Sequence, residues 1–428
     1  MLKLGFIKNP FYCYIIGFSV VSFIYLWGWS DLYPTLTSDL IIFLLITFGV
    51  AFTLGKITKS SFSYQDISID RHNYRRILCI FLFYSIEFAD AGGIPLVMIA
   101  QGTGYHYQTF GIPTFHILVQ TLGPFYTIYL FHQYLGNRKV SVLLCAISVL
   151  MLSIAIVNRG SVVMTCISCL LLAIQRKPVV SRKTIFSLLA GFLLFFYGFG
   201  YVGNLRSFKD NEDVLLQMAQ ATPRFQASFI PNEYFWLYLY AASPLANFQE
   251  VVNTAKNHRY DWYLYFNNEL LPDIVARRFA NIDADPDYNE RMNYSIAPFL
   301  TVGTMYYDSY IRLGWYGPII TFIYYMLFII VFIWLLTKLK FTHRYKQVAI
   351  VTICTISIFE IFDNATRGAG LLIQLVYPFV FGLLDKVHVI NDLNLSIFRL
   401  IDNSSQVRKV KIRLRFFPNY RLRLRSKL

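Results

Sequence analysis

Charge is scarce in this sequence. Asp, Glu, Lys and Arg supply only 15% of its 428 residues while 56% are hydrophobic, more apolar material than a soluble domain of ordinary composition needs. The excess points to lipid as the solvent. Cysteine is missing from the long hydrophilic segment between residues 203 and 300, and Cys13, Cys79, Cys145, Cys166, Cys169 and Cys354 all fall in apolar stretches. No disulfide framework is implied. The sequence has no HExxH, no P-loop, no GxSxG and no dinucleotide fingerprint, which leaves soluble-type hydrolase, nucleotidase and dehydrogenase chemistry without support. No small-residue cleavage site follows the first apolar stretch, Phe11 to Trp29, so a retained helix is expected there and not a removed signal peptide.

What is present is a series of apolar runs long enough to cross roughly 30 Å of hydrocarbon. They lie near residues 11–29, 39–55, 77–99, 113–135, 140–157, 161–175, 184–202, 317–337, 347–364 and 371–385. The expected fold class is an all-α integral membrane protein with about ten transmembrane helices. The expected organisation is seven spans over 1–202, a large outward loop over 203–300, three spans over 301–385 and a basic tail over 386–428.

The net charge of +15 is not spread evenly. Lys3 and Lys8, then Lys56, Lys59, Arg71, Arg75 and Arg76, then Arg138 and Lys139, then Arg176, Lys177, Arg182 and Lys183, then Lys338, Lys340, Arg344 and Lys346 fall at every second loop. The positive-inside rule puts these loops and both termini in the cytosol, with Trp27, Trp29 and Trp315 at the outer interface and Trp334 near the inner one. Basic and apolar residues alternate in the tail over Lys409–Arg415 and Arg421–Arg425. That pattern suits the anionic inner leaflet at about 1 kcal/mol per basic residue near the surface, with RNA as the alternative partner.

Against the same rule, Arg159, Arg206, Arg224, Arg277, Arg278, Arg291, Arg312 and Arg367 fall on the outer side. Arg forks onto phosphate oxygens and stays charged when partly desolvated, so a diphosphate partner is expected, although each Arg singly also suits snorkelling or a local ion pair. Within the outer loop, Glu233 to Phe248 is aromatic and about 16 residues long, which suits an interfacial or re-entrant helix. Its aromatics, Tyr238 and Tyr240 among them, are candidates for packing sugar rings or for anchoring at the interface. Glu360, Asp363 and Arg367 are spaced to share one helix face, and Glu87 and Asp90 precede a Gly92, Gly93, Pro95 break expected to end a helix. His116 opens the fourth span and can serve as a proton acceptor. Asp283, Asp285 and Asp287 form a weak divalent-cation pattern, for which a solvated turn is the preferred reading. No metal or cofactor is assigned.

Five motifs then carry a resemblance: GGIPL at 92–96, FGIPTFHIL at 110–118, NRGSVVM at 158–164, GNLRS at 203–207 and NYSIAPFLTVGTMYYDSYIRLGWYGPII at 293–320. In this order along a ten-span frame, the whole chain resembles the Wzy-type O-antigen polymerases, or oligosaccharide repeat unit polymerases. The resemblance implies a glycosyltransferase at the periplasmic face of the bacterial inner membrane. Its donor and acceptor would both be undecaprenyl-diphosphate-linked oligosaccharides, without nucleotide sugar, ATP or nucleic acid, and with a chain-length regulator and a flippase as prospective protein partners. It also implies that Arg159 and Arg206 hold the diphosphate; Arg224, Arg277, Arg278, Arg291 and Arg367 are added from topology alone. The acceptor hydroxyl needs a base, for which His116, Glu87, Asp90 and Asp308 remain open. Two other functions fit the same features: a flippase or transporter of lipid-linked oligosaccharide, which internal repeats would favour, and an O-antigen ligase.

Overall fold

The computed structural model describes residues 2–102, 110–208, 212–255, 260–273, 275–276 and 293–387. The chain divides into two compact units, Met1–Gly382 and Leu383–Leu428. The first is a body of helices: α1 (Pro10–Tyr25), α2 (Ser38–Ile57), α3 (Asn73–Asp90), α4 (Pro95–Ala100), α5 (Phe115–Asn137), α6 (Val140–Ala155), α7 (Arg159–Arg176) and α8 (Arg182–Phe208). There follow α9 (Glu212–Met218), α10 (Pro223–Gln226), α11 (Tyr234–Thr254), α12 (Trp262–Tyr265), α13 (Tyr307–Leu313), α14 (Tyr316–Lys338) and α15 (Lys346–Phe359), then α16 (Gly370–Val387).

Each apolar run carries helix, and among the described residues five helices are long and apolar enough to cross a membrane: α2, α7, α14, α16 and the part of α8 over Arg182–Tyr201. The apolar helices α1, α6 and α15 are shorter, at 10–17 residues. Ten crossings are therefore matched in length and apolarity by five. The third run shows one cause of the difference. It breaks where Gly92 adopts φ +74, a left-handed conformation that suits glycine, and Pro95 then opens α4 as its first residue.

Local chemistry sets several helix starts. The Asn9 side chain accepts the Phe11 N–H at the head of α1 with Pro10 at the first position, and Asn158 accepts the Ser161 N–H at 3.0 Å to cap α7. Helix α1 packs close to α15, for a Cβ at Gly17 would stand 2.7 Å from the Ile358 carbonyl oxygen. Such small-residue crossings let backbones of membrane helices approach.

The basic loops gather at one end of this body. Leu2 and Lys3 pair with Val180 and Val179 as a two-residue ladder, Arg176 meets Asp66 at 3.0 Å, and Arg344 donates to the Ser68 carbonyl at 3.2 Å. There Asp70 is buried among Arg76 at 3.0 Å, the Tyr129 hydroxyl at 3.0 Å and Arg344 at 3.7 Å. Burial alone would push the Asp70 carboxyl up. The His72 N–H, the two guanidiniums and Tyr129 outweigh burial and hold it below its ordinary value.

The described residues 212–255 and 293–302 of the outer segment belong to the same compact unit as the other helices. The stretch read as an interfacial or re-entrant helix of about 16 residues lies in the 21-residue α11, most of it buried. Its polar residues find partners inside: Asn247 donates to the Leu300 and Val302 carbonyls at 2.6 and 2.8 Å, and Gln249 accepts the Thr37 N–H at 2.9 Å. Buried amides bonded in this way cost little.

Candidate functional site

The end opposite the basic loops carries three adjoining features. The first joins α3 to α5. His116 Nδ1 lies 2.5 Å from Glu87 Oε2, with Glu87 buried and its other oxygen without a hydrogen-bond partner. Gly111, at φ +90, presses its backbone on the pair, for a Cβ there would stand 2.6 Å from both Glu87 Oε2 and His116 Nδ1. The helix carrying His116 starts from a strained residue: Thr114 has φ 69 and ψ −45, and the Phe115 N–H bonds back to the Pro113 carbonyl at 2.9 Å. This is the rare positive-φ form of γ-turn. A β-branched residue held there costs on the order of 1–3 kcal/mol.

The second feature is a cleft of about 280 Å³ among α5, the head of α7 and the turn after α15. Gln120, Asn158, Ser161, Asp363, Asn364 and Gln374 supply its polar lining. Gln120 lies one helical turn beyond His116 on the same face of α5, and Pro124 has no N–H to offer the Gln120 carbonyl. Another residue at positive φ, Val157 at φ 60, precedes Asn158. Thr114 thus stands two residues before His116, and Val157 directly before the cleft-lining Asn158.

The third is an ion cluster. Arg367 donates to Asp273 at 2.9 Å and lies 3.8 Å from Glu269, while Arg312 lies 3.5 Å from the same Glu269 oxygen. Burial would lower the Arg367 pKa, but the charges of Glu269, Asp273 and Asp308 raise it above its ordinary value. The Asn364 side chain donates to the Glu269 carbonyl at 2.8 Å and so ties this cluster to the cleft wall.

These contacts sort the residues picked out in the sequence. Arg159 is the first residue of α7, exposed, between the cleft-lining Asn158 and Gly160. It makes no ion pair among the described residues. Arg206 lies in α8, with its side chain outside the described ones. Arg224 is exposed on α10. Arg277, Arg278 and Arg291, and the acids Asp283, Asp285 and Asp287, lie outside the described residues.

Arg367, added from topology as a diphosphate ligand, lies in an ion cluster: it pairs with Asp273 and Glu269, Arg312 shares Glu269, and the charge of Asp308 also acts on it. Asp308, buried at the first turn of α13, acts on Arg367 and is thus an ion-cluster member. Tyr238, a candidate for packing a sugar ring, is fully buried between Trp29 and Tyr33 at 5.3 and 5.2 Å. Tyr240 is exposed and stacks on Trp236 at 5.7 Å. Glu360, Asp363 and Arg367 do not share a helix face, since α15 ends at Phe359. The Glu360 carboxyl instead accepts the Ala365 N–H at 3.3 Å, a local bond that competes with helix continuation.

Sequence reasoning missed Glu269, Asp273 and the cleft amides. The spacing of four between His116 and Gln120 was the one signal within reach. Among the described residues no group of three His, Cys, Asp or Glu is arranged to hold a metal ion. No protein-family model, no curated protein and no solved structure matches this chain.

Proposed function

We propose that this chain joins undecaprenyl-diphosphate-linked oligosaccharide repeat units into O-antigen or a related surface polysaccharide, at the periplasmic face of the bacterial inner membrane. The observation that carries the reading is Arg159: an exposed guanidinium, free of ion pairs among the described residues, at the N-terminus of an 18-residue helix beside a largely apolar cleft edged with amide side chains. The helix end and the guanidinium both favour an anion there, and Arg suits a diphosphate's oxygens.

The acceptor sugar's hydroxyl oxygen attacks the anomeric carbon of the donor glycan. The new C–O bond forms as the bond to the diphosphate breaks, and the diphosphate leaves with the electron pair. Arg159 stabilises the charge that develops on it, with Arg206 as its partner by the resemblance. The hydroxyl proton passes to a base. His116 is the base in this reading, because Glu87 occupies Nδ1 and leaves Nε2 as the nitrogen able to take a proton.

The test is a deletion strain complemented with wild-type chain, Arg159→Ala or His116→Ala. The polymerase reading expects lipopolysaccharide with one repeat unit and no ladder from the deletion strain, and no ladder from either variant at normal membrane levels. Lipopolysaccharide with no O-antigen attached at all would replace the reading by the ligase or the flippase, and an unchanged ladder in the deletion strain would reject all three.

A further inference from the structure

We infer that the cleft beside Arg159 is a subsite for an uncharged sugar ring of the lipid-linked substrate, separate from the position of its diphosphate. The inference rests on the polymerase reading for the identity of that substrate. Its own support is the chemistry of the lining. No Lys, Arg or His lines the cleft, so an anionic group placed inside would be desolvated without a counter-charge, which is costly.

The hydrogen-bonding groups left over after the protein's own bonds are counted are of both kinds. Asn364 is committed, donating to the Glu269 carbonyl and accepting from the Thr366 hydroxyl at 2.6 Å. Asn158 uses its oxygen on the Ser161 N–H, which leaves its NH2. Gln374 uses its nitrogen on the Gly370 carbonyl at 3.0 Å, which leaves its oxygen. The Gln120 amide and the Ser161 hydroxyl have no partner among the described residues. Asp363, the acidic residue of the lining, accepts the Asn364 N–H at 2.9 Å; beside it, the spare uncharged set is two amide NH2 groups, two amide oxygens and a hydroxyl, from α5, the head of α7 and α16. A prenyl or acyl chain satisfies none of these groups. Sugar hydroxyls, each both donor and acceptor, satisfy them all, while Phe359 and Phe362 in the same lining offer apolar surface to a ring's C–H face. At about 280 Å³ the cleft lies just below the usual range of ligand sites, which begins at roughly 300 Å³. It has room for a sugar ring but not for a whole repeat unit with its lipid.

The glycines of the lining make the cleft testable without disturbing its walls. A Cβ at Gly368 or Gly370 meets nothing within 4 Å, and neither residue has a positive φ. A photo-reactive p-benzoylphenylalanine placed at Gly368 in the full chain, irradiated in living cells, should capture a glycan-bearing adduct. That adduct should vanish in cells blocked in repeat-unit synthesis. An adduct with phospholipid alone, or none in cells that make the repeat unit, overturns the subsite. In parallel, Gln120→Ala with Gly370→Leu should reduce long chains at least tenfold at normal membrane levels, whereas long chains at the wild-type amount overturn it. The two readings fail separately: an unchanged ladder in the deletion strain removes the polymerase, while a lost ladder there with no glycan adduct removes only the subsite.

Discussion

Glu87 Oε2 stands 2.5 Å from His116 Nδ1 across the α3–α5 contact, and the carboxyl is buried while the imidazole keeps about a fifth of its surface open. A buried carboxylate on one ring nitrogen fixes the ring's orientation and tautomer. General-base catalysis of this kind contributes about 10²- to 10⁴-fold. On the proposed polymerase reading with His116 as base, His116→Ala should lower the polymerisation rate by about that factor, and Glu87→Gln, which keeps shape but not charge, should lower it less. The check is initial rate with purified protein and synthetic lipid-linked repeat unit. A rate unaltered in His116→Ala would remove the histidine from the chemistry.

Gly111 tests the same pair through the backbone. A Cβ there would lie 2.6 Å from both the carboxylate oxygen and the ring nitrogen, on a residue at φ +90. Gly111→Ala is thus strained by its own backbone and forces the pair apart. It should mimic Glu87→Gln in activity while the protein still inserts. Wild-type activity in Gly111→Ala would show that the short contact is dispensable.

How far this end of the molecule was legible in the sequence differs from residue to residue. The helices were legible because apolar runs are local, and so was the Gly92 break, because its cause lies in adjacent residues. The burial of helix α11 was not legible, because the partners of Asn247 and Gln249, at Leu300 and Thr37, lie far off in the sequence. The ion pairs of Arg367 were not legible for a similar reason: Glu269 and Asp273 lie nearly a hundred residues earlier in the chain. The cleft amides come from three helices, and no spacing along one strand of sequence joins them.

At the basic end, Asp70 makes stability depend on pH. Its folded-state pKa lies below the ordinary value of 3.8, so its contribution is complete above that value and is lost as pH falls through the folded pKa. Arg344 and Arg76 stay charged throughout that range. We expect the wild-type melting temperature in detergent to fall more between pH 7 and pH 3 than that of Asp70→Asn, and Asp70→Asn to be about 3 kcal/mol less stable at pH 7, since it leaves two guanidiniums without their carboxylate. Parallel pH dependence of the two proteins would remove Asp70 as the source.

Glu269 is the charge on which the outer ion cluster turns, buried and within 3.5 Å of Arg312 and 3.8 Å of Arg367. Removing one member of a buried pair leaves the other charge uncompensated, at a cost of about 3–5 kcal/mol, whereas replacing both with apolar side chains of similar volume is often neutral. Glu269→Leu and Arg312→Met should each destabilise the protein by about 3 kcal/mol. The double variant should lose much less than their sum, but not nothing, because Arg367 then keeps Asp273 and Asp308 as its counter-charges among the described residues. Unfolding of the four proteins in mixed micelles gives the coupling energy directly. A double variant as destabilised as the sum of the singles would show that Arg312 and Glu269 do not act as a pair, and the tie through Asn364 would then be the main support of the cleft wall.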